Sequence, residues 1–184
     1  MKSVGTQEIE TERLILRQIT KNDGKEFVEG FRNQKEFLYY AAKEPITLAM
    51  EEEFLSGIDE RYKDLNYYNW IIVLKETNQI IGAINFRVNA IIDCVTFSYA
   101  IDNRFTSKGF MTEALNAAKD FAFNVIEVNR FEGGCAEKNI ASRRVMEKCN
   151  LIQEGVLKDN IKLSDGYHDM LMFAITRKEF EQKN

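Results

Sequence analysis

The stretch Tyr99-Ala-Ile-Asp-Asn-Arg-Phe-Thr-Ser-Lys-Gly-Phe-Met-Thr-Glu-Ala114 holds the residues best suited to chemistry. A β-type run ends in a short loop carrying Lys108 and Gly109, and apolar residues at helical spacing follow directly. Strand, loop and helix N-terminus together make an anion site, because unpaired N–H groups and the positive end of the helix dipole can face a phosphate. One glycine beside one lysine also fits an ordinary turn, and a Walker loop would need more glycines and a Lys-Ser/Thr pair. His168 is the single histidine, which removes every site needing two imidazoles. Cys94, Cys135 and Cys149 lack metal-ligand spacing and sit in apolar or periodic contexts, so they read as reduced, buried thiols and no metal is expected;.

The elements that must position this junction follow from the pattern along 184 residues, of which 45% are hydrophobic, enough for one domain with one core;. Lys plus Arg number 25 and Asp plus Glu 29, a net charge of −4 spread along the chain, which argues against direct nucleic-acid binding;. Met1–Glu12 has no apolar core of a leader, and no stretch approaches the ~20 apolar residues that span a bilayer, so a soluble, cytoplasmic protein is expected;. Arg13–Arg17 reads as a strand, Thr20–Gly24 as the cap of a helix through about Phe31, and Thr47 as the cap of an amphipathic helix from Met50 to Leu65;. Tyr68–Leu74, Ile80–Phe86 and Cys94–Ile101 form an antiparallel meander, and Met111, Ala114, Leu115, Ala118, Phe121, Ala122 and Val125 mark the clearest helix;. A strand over Arg130–Glu137, a helix over Asn139–Cys149 and strands at Ile152–Leu157 and His168–Ile175 complete a single α+β or mixed α/β domain on one sheet;.

Three of these segments carry a resemblance. Thr106-Ser-Lys-Gly-Phe-Met-Thr-Glu-Ala114 resembles the acyl-CoA pyrophosphate loop and helix of the GNAT N-acetyltransferases, in their RimJ/RimL-type branch of ribosomal-protein N-terminal acetyltransferases. Glu137-Lys-Asn-Ile-Ala-Ser-Arg-Arg-Val-Met-Glu-Lys148 is similar to that branch's Asn-x-x-Ser-x-x-Val-x-Glu-Lys helix, and Gly166-Tyr-His-Asp169 to its Gly-x-Tyr-His-Asp turn. Thr11-Glu-Arg-Leu-Ile-Leu-Arg17 is typical of how such chains begin. The resemblance covers about Thr11 to Phe180 with the elements in order. It implies one domain over residues 1–184: a mixed, mostly antiparallel sheet of about seven strands, splayed between the fourth and fifth, with about four helices.

The resemblance further implies acetyl-CoA as co-substrate and a primary amine as acceptor, foremost the α-amine of a ribosomal or other protein. A small amine (polyamine, amino acid or antibiotic) and a non-catalytic acyl-CoA-binding module are the alternatives. By the same resemblance, Tyr99, Ala100 and Ile101 offer backbone to the pantetheine arm. Thr106, Ser107, Lys108, Gly109, Phe110 and Met111 cradle the pyrophosphate. Asn139 contacts the arm and Ser142 protonates the leaving thiolate, with Tyr99 and Tyr167 as substitute acids. Arg143, Arg144 and Lys148 either meet the 3′-phosphate or form a solvated face.

The departures from the pattern concern the loop and the base. Thr106 stands where an aromatic or Arg is common and Ser107 where Gly is common, so coenzyme affinity is open to reduction. The two usual seats of a carboxylate base hold Thr96 and Ile161, which leaves a relayed water or a substitute among Glu137, Asp93, Asp159 and Asp169. An α-amine, with a pKa near ~7.7–8.0, needs less help than a lysine near ~10.4, which favours the α-amine acceptor. His168 reads as structural, because strand alternation sets it opposite Tyr167 and Asp169. Phe37, Tyr39, Tyr40, Tyr67, Tyr68 and Trp70 divide between core packing and an acceptor slot. The oligomeric expectation is a monomer or homodimer.

Overall fold

Nearly every residue of Tyr68–Leu74 is buried, on both faces of the strand, which places it inside a sheet covered from two sides;. The computed structural model describes residues 1–41 and 44–183. The strands are β1 (Ile9–Glu10), β2 (Leu14–Arg17), β3 (Tyr68–Leu74), β4 (Gln79–Asn89), β5 (Cys94–Ile101), β6 (Arg130–Ala136), β7 (Ile152–Leu163) and β8 (Gly166–Thr176). Their order across the sheet is β1-β2-β3-β4-β5-β6-β8-β7, and every neighbouring pair is antiparallel except β5–β6.

The helices are α1 (Gly24–Phe27), α2 (Lys35–Ala41), α3 (Leu48–Ser56), α4 (Ile58–Arg61), α5 (Phe110–Phe121), α6 (Ile140–Lys148) and α7 (Arg177–Lys183). Alternation along the strands sorts side chains onto two faces. Trp70, Ile72, Ile84, Phe86, Val95, Phe97, Phe131 and Phe173 form the main core with the apolar stripe of α5. Ile71, Val73 and Ile80 build a smaller core with Leu55 and Ile58 on the other face, joined by the partly buried Ala83 and Ala100. This second cover is incomplete: Asn85, Arg87 and Ser98 are exposed on the same face, which leaves a bare floor there.

Several expectations change. The eighth strand is the two-residue β1, so the splay lies one strand later in the count. The helix expected from Met50 to Leu65 breaks at Gly57, whose φ of −100° and ψ of 9° end α3 and start α4, although Thr47 does cap α3 by accepting from the Met50 N–H. The helix after Thr20 divides into a 3₁₀ turn, α1 and a π-helical stretch over Val28–Arg32. The segment expected as a loop after Leu157 continues β7 to Leu163 through a bulge, with Asp159 at φ +50°;. Seven helices among the described residues, against about four expected, reflect pieces of four to seven residues, too short to show a period;.

Candidate active site

Strands β5 and β6 pair in parallel only at Cys94↔Arg130, Val95↔Phe131 and Thr96↔Glu132. Beyond Thr96 they part, and among the described residues no strand lies beside the edge of β5 from Phe97 to Ile101 on the β6 side. The Phe97 ring fills the vertex. It stacks on Phe131 with centroids 4.6 Å apart and on Tyr99 at 6.0 Å. Gly133 makes room for it, since a Cβ there would lie 2.5 Å from two ring atoms of Phe97.

The open end of this V meets the N-terminus of α5. Gly109 begins that helix at φ +82°, no side chain caps it, and Thr106, Ser107, Lys108 and Gly109 are exposed. The first-turn N–H groups and Lys108 are therefore open to solvent, an arrangement that suits an anion;. The Phe110 and Met111 side chains point into the core, so only their backbone can serve a ligand. Thr106 is turned inward on its own loop, its hydroxyl donating to the Asn103 carbonyl at 2.9 Å.

Ser107 takes φ +60°, the left-handed conformation that glycine adopts freely;. The loop thus keeps its path at a strain of about 1 kcal/mol. Relief of that strain exceeds the added entropy of a glycine in the unfolded chain, so Ser107→Gly is expected to raise the melting temperature by about 1–2 °C. A thermal melt checks it; a fall would contradict the strain.

The loop is fixed by residues whose roles were not apparent in the sequence. Glu113 accepts from the Thr11 hydroxyl (2.6 Å), the Arg13 N–H (2.9 Å) and Arg13 Nε (2.6 Å), while Arg13 Nη1 donates to the Lys108 carbonyl (3.2 Å). The Arg13 guanidinium also covers the Phe110 ring at 4.4 Å. Burial pushes the Glu113 carboxyl up, but the bonds from Thr11 and Arg13 outweigh it and hold it below the usual range. A carboxylate depressed in the folded state stabilises fully above its unfolded pKa of ~4.3, and that contribution fades as pH falls through the lower folded value. Glu113→Gln is therefore expected to cost about 1–2 kcal/mol at pH 7 and little at pH 3. Denaturant titrations at the two pH values check it; an equal loss at both would contradict it.

On the α5–α6 face, Tyr99 reaches across the V. Its hydroxyl lies 2.8 Å from Ser142 Oγ and donates to the Ser142 carbonyl at 3.1 Å. Asn139 caps α6 by accepting from the Ser142 N–H at 3.0 Å, so it sets the height of Ser142 in the V;. Burial pushes both Tyr99 and Cys135 up, and the whole group stays protonated at neutral pH. Cys94, Cys135 and Cys149 are all free and buried. Arg144 and Lys148 are exposed, and Arg143 pairs with Glu147 at 2.8 Å. Tyr167 lies exposed near the β7–β8 turn beneath the Lys162 ammonium and does not join the Ser142 pair.

On the opposite face the vertex carries Thr96, whose hydroxyl donates to Glu132 Oε1 at 3.3 Å. Glu132 was not among the carboxylates considered from sequence. Of those that were, Asp93 pairs with the Met1 amine at 3.7 Å and Asp169 with Lys158 at 2.5 Å. Asp159 sits in the β7 bulge and donates its N–H to Asp169, and Glu137 lies 3.5 Å from His168 Nδ1. His168 is buried, with Nε2 2.8 Å from Asp165, so it ties the β7–β8 turn to the start of α6. Ile161 pairs with His168 in the strand ladder.

Tyr68 and Trp70 belong to the main core; Trp70 Nε1 donates to the Gln7 carbonyl. Phe37 and Tyr67 pack on the smaller one. Tyr39 donates to Asp165 at 2.8 Å, which pushes the phenol up to about 12, and Tyr40 reaches toward the Lys138 carbonyl. These contacts tie α2 to the β7–β8 turn and to the loop before α6. The fully buried Asp102 ties the start of α2 to the loop before α5, accepting from Gln34 Nε2 at 2.9 Å and from the Arg104 N–H at 2.8 Å.

A splayed parallel pair, an uncapped helix N-terminus at its open end and a protonated hydroxyl pair across it are the geometry of an acyl-CoA-handling fold. Residues 13–152 match the family described as the acetyltransferase (GNAT) domain. The chain belongs to the GNAT acetyltransferases. It is 25% identical to the probable N-acetyltransferase YjcK of Bacillus subtilis (strain 168), over 88% of this chain and 87% of that one. It is also 25% identical to the ribosomal-protein-serine acetyltransferase of Escherichia coli (strain K12), over 89% and 93%. RimL, a ribosomal L7/L12 alpha-N-protein acetyltransferase solved in complex with coenzyme A, superposes with a TM-score of 0.81 at 20% identity, covering 92% of this chain and 98% of that one. No helix among the described residues is long and apolar enough to cross a membrane, and no group of His, Cys, Asp and Glu among them could hold a metal.

Proposed function

We propose that this GNAT acetyltransferase moves an acetyl group from acetyl-CoA to the N-terminal α-amine of a protein. The observation that carries the reading is the free edge of β5, which runs from Phe97 toward the uncapped start of α5. A pantetheine arm fits along that edge as an added strand, hydrogen-bonded to Tyr99, Ala100 and Ile101, and its pyrophosphate falls on the N–H groups and ammonium of residues 106–111. The residues present therefore suit the coenzyme, which supplies an activated thioester carbonyl when bound.

In this arrangement the two faces of the V divide the work. The amine enters over the bare floor between α2 and the β7–β8 hairpin, while the sulfur leaves toward Ser142 and Tyr99 on the α6 face. A backbone N–H of the free β5 edge faces the developing negative charge on the carbonyl oxygen, and the Ser142 hydroxyl gives its proton to the departing thiolate. No covalent bond to the protein is needed. The open floor accommodates an extended chain, and the side chains of Asn85, Arg87, Ser98 and Thr96 line it.

Initial rates over a panel of peptides with different first residues, free amino acids, spermidine and an aminoglycoside test the assignment. Peptide α-amines should give the highest kcat/KM. Preference for spermidine or the aminoglycoside would overturn the acceptor class, and saturable acetyl-CoA binding without any acceptor would favour a coenzyme-binding module.

A further inference from the structure

We propose that Glu132 is the carboxylate that takes the proton from the acceptor's ammonium, with the Thr96 hydroxyl as its relay; this rests on the acetyl-transfer reading above. The seat expected for a base on β5 holds a threonine, yet the parallel register places Glu132 of β6 directly beside it, 3.3 Å from the Thr96 hydroxyl. Both side chains lie at the vertex of the V, on the face left bare for the acceptor and opposite the Ser142–Tyr99 pair. The carboxylate thus reaches the same point from the neighbouring strand.

The surrounding charges leave Glu132 able to act. Arg130 donates Nε to Glu132 Oε2 at 2.6 Å, but its two terminal nitrogens are bound by Glu154 of β7. One guanidinium is shared between two carboxylates, so the cluster keeps a net negative charge and attracts an ammonium. From β5, the Cys94 thiol is pushed up to about 11, chiefly by burial, and stays neutral. From β4, Arg87 pairs with Thr96 in the ladder but is exposed, so solvent screens it;. Of the other carboxylates, Asp165, Asp169 and Asp93 are each engaged with a cation or a buried ring, Glu137 faces His168, and Asp159 sits in the bulge of the outer strand β7.

The proton balance is complete. The ammonium gives one proton to Glu132, through Thr96 or a water, and Glu132 later releases it to solvent. The nitrogen lone pair then forms the C–N bond as the C–S bond breaks. The thiolate takes the Ser142 proton, Ser142 is restored from solvent by way of Tyr99, and the second nitrogen proton leaves to solvent, for a net release of one proton per turnover.

The test is a pH profile of kcat/KM for the wild type and Glu132→Gln with the best peptide acceptor, together with acetyl-CoA titrations of both. Glu132→Gln should lose about 100-fold at pH 7 and regain roughly tenfold per pH unit until the amine deprotonates unaided near ~8, with coenzyme affinity unchanged. Glu132→Asp, which keeps the charge and shortens the reach, should retain more activity than the glutamine variant, and it serves also if the latter folds poorly. Variants within threefold of wild type across the profile would overturn the role of Glu132 while leaving the acetyltransferase reading intact. A wild type that transfers acetyl to none of the amines would instead defeat that reading, and this proposal with it.

Discussion

Ser142→Ala is expected to lower kcat about 100-fold while acetyl-CoA affinity stays within about threefold. The hydroxyl stands 2.8 Å from Tyr99 and is held there by the Asn139 cap, so its removal leaves the V and the anion loop in place. On the proposed mechanism, only the proton for the leaving sulfur is lost. Tyr99→Phe should cost less, about tenfold, because the phenol orients and replenishes Ser142 rather than meeting the sulfur first. Burial raises the Tyr99 phenol, so neither hydroxyl ionises near neutrality and the alkaline limb of the rate profile should be the same in wild type and Tyr99→Phe. Pre-steady-state and steady-state rates on the two variants check the split. A Ser142→Ala enzyme with undiminished kcat would remove Ser142 from the chemistry.

Gly133→Val is expected to destabilise the fold by about 3 kcal/mol and to abolish coenzyme binding in whatever remains folded. A single Cβ at this position would already lie 2.5 Å from Phe97 Cε2 and Cζ. That ring cannot swing aside, because Phe131 stacks against it at 4.6 Å and Tyr99 at 6.0 Å. Phe97 is therefore pushed back against β5, which carries Tyr99 away from Ser142 and distorts the gap between β5 and β6. Gly133→Ala should show the same effects at about half the size. Denaturant melts with acetyl-CoA titration of both variants test this, and a Gly133→Val protein with wild-type stability would mean that the ring does not prop the strands apart.

The parts of the site that the sequence made legible are those set by local pattern. The apolar alternation of Cys94–Ile101, the helical stripe from Met111 and the Lys108-Gly109 loop between them announce a strand, a turn and a helix, and the structure sets them in that order. Asn139 and Ser142 share one turn of a helix, as their spacing requires. What stayed hidden depends on contacts between distant segments. Arg13 and Glu113 are 100 residues apart, and neither shows by itself that the other holds it against the Lys108 carbonyl. Glu132 reads as an ordinary outward position of a strand until the parallel register sets it beside Thr96, 36 residues away. The far half of β7 escaped because it is an edge strand exposed on both sides, so Lys158–Lys162 carry no alternation;. Helix α2 is only seven residues long, and Gln34 just ahead of it is joined to Asp102 across 68 residues, a tie that no periodicity could show.

The central claim is that the gap between β5 and β6, with the bare start of α5 at its mouth, is built for an acyl-CoA. A calorimetric titration of the purified protein with acetyl-CoA, followed in the same cell by ATP, tests it most directly. The expected result is saturable one-to-one binding of acetyl-CoA with no competing heat from ATP. Absence of binding, or ATP displacing acetyl-CoA, would contradict the assignment of the V as a coenzyme site.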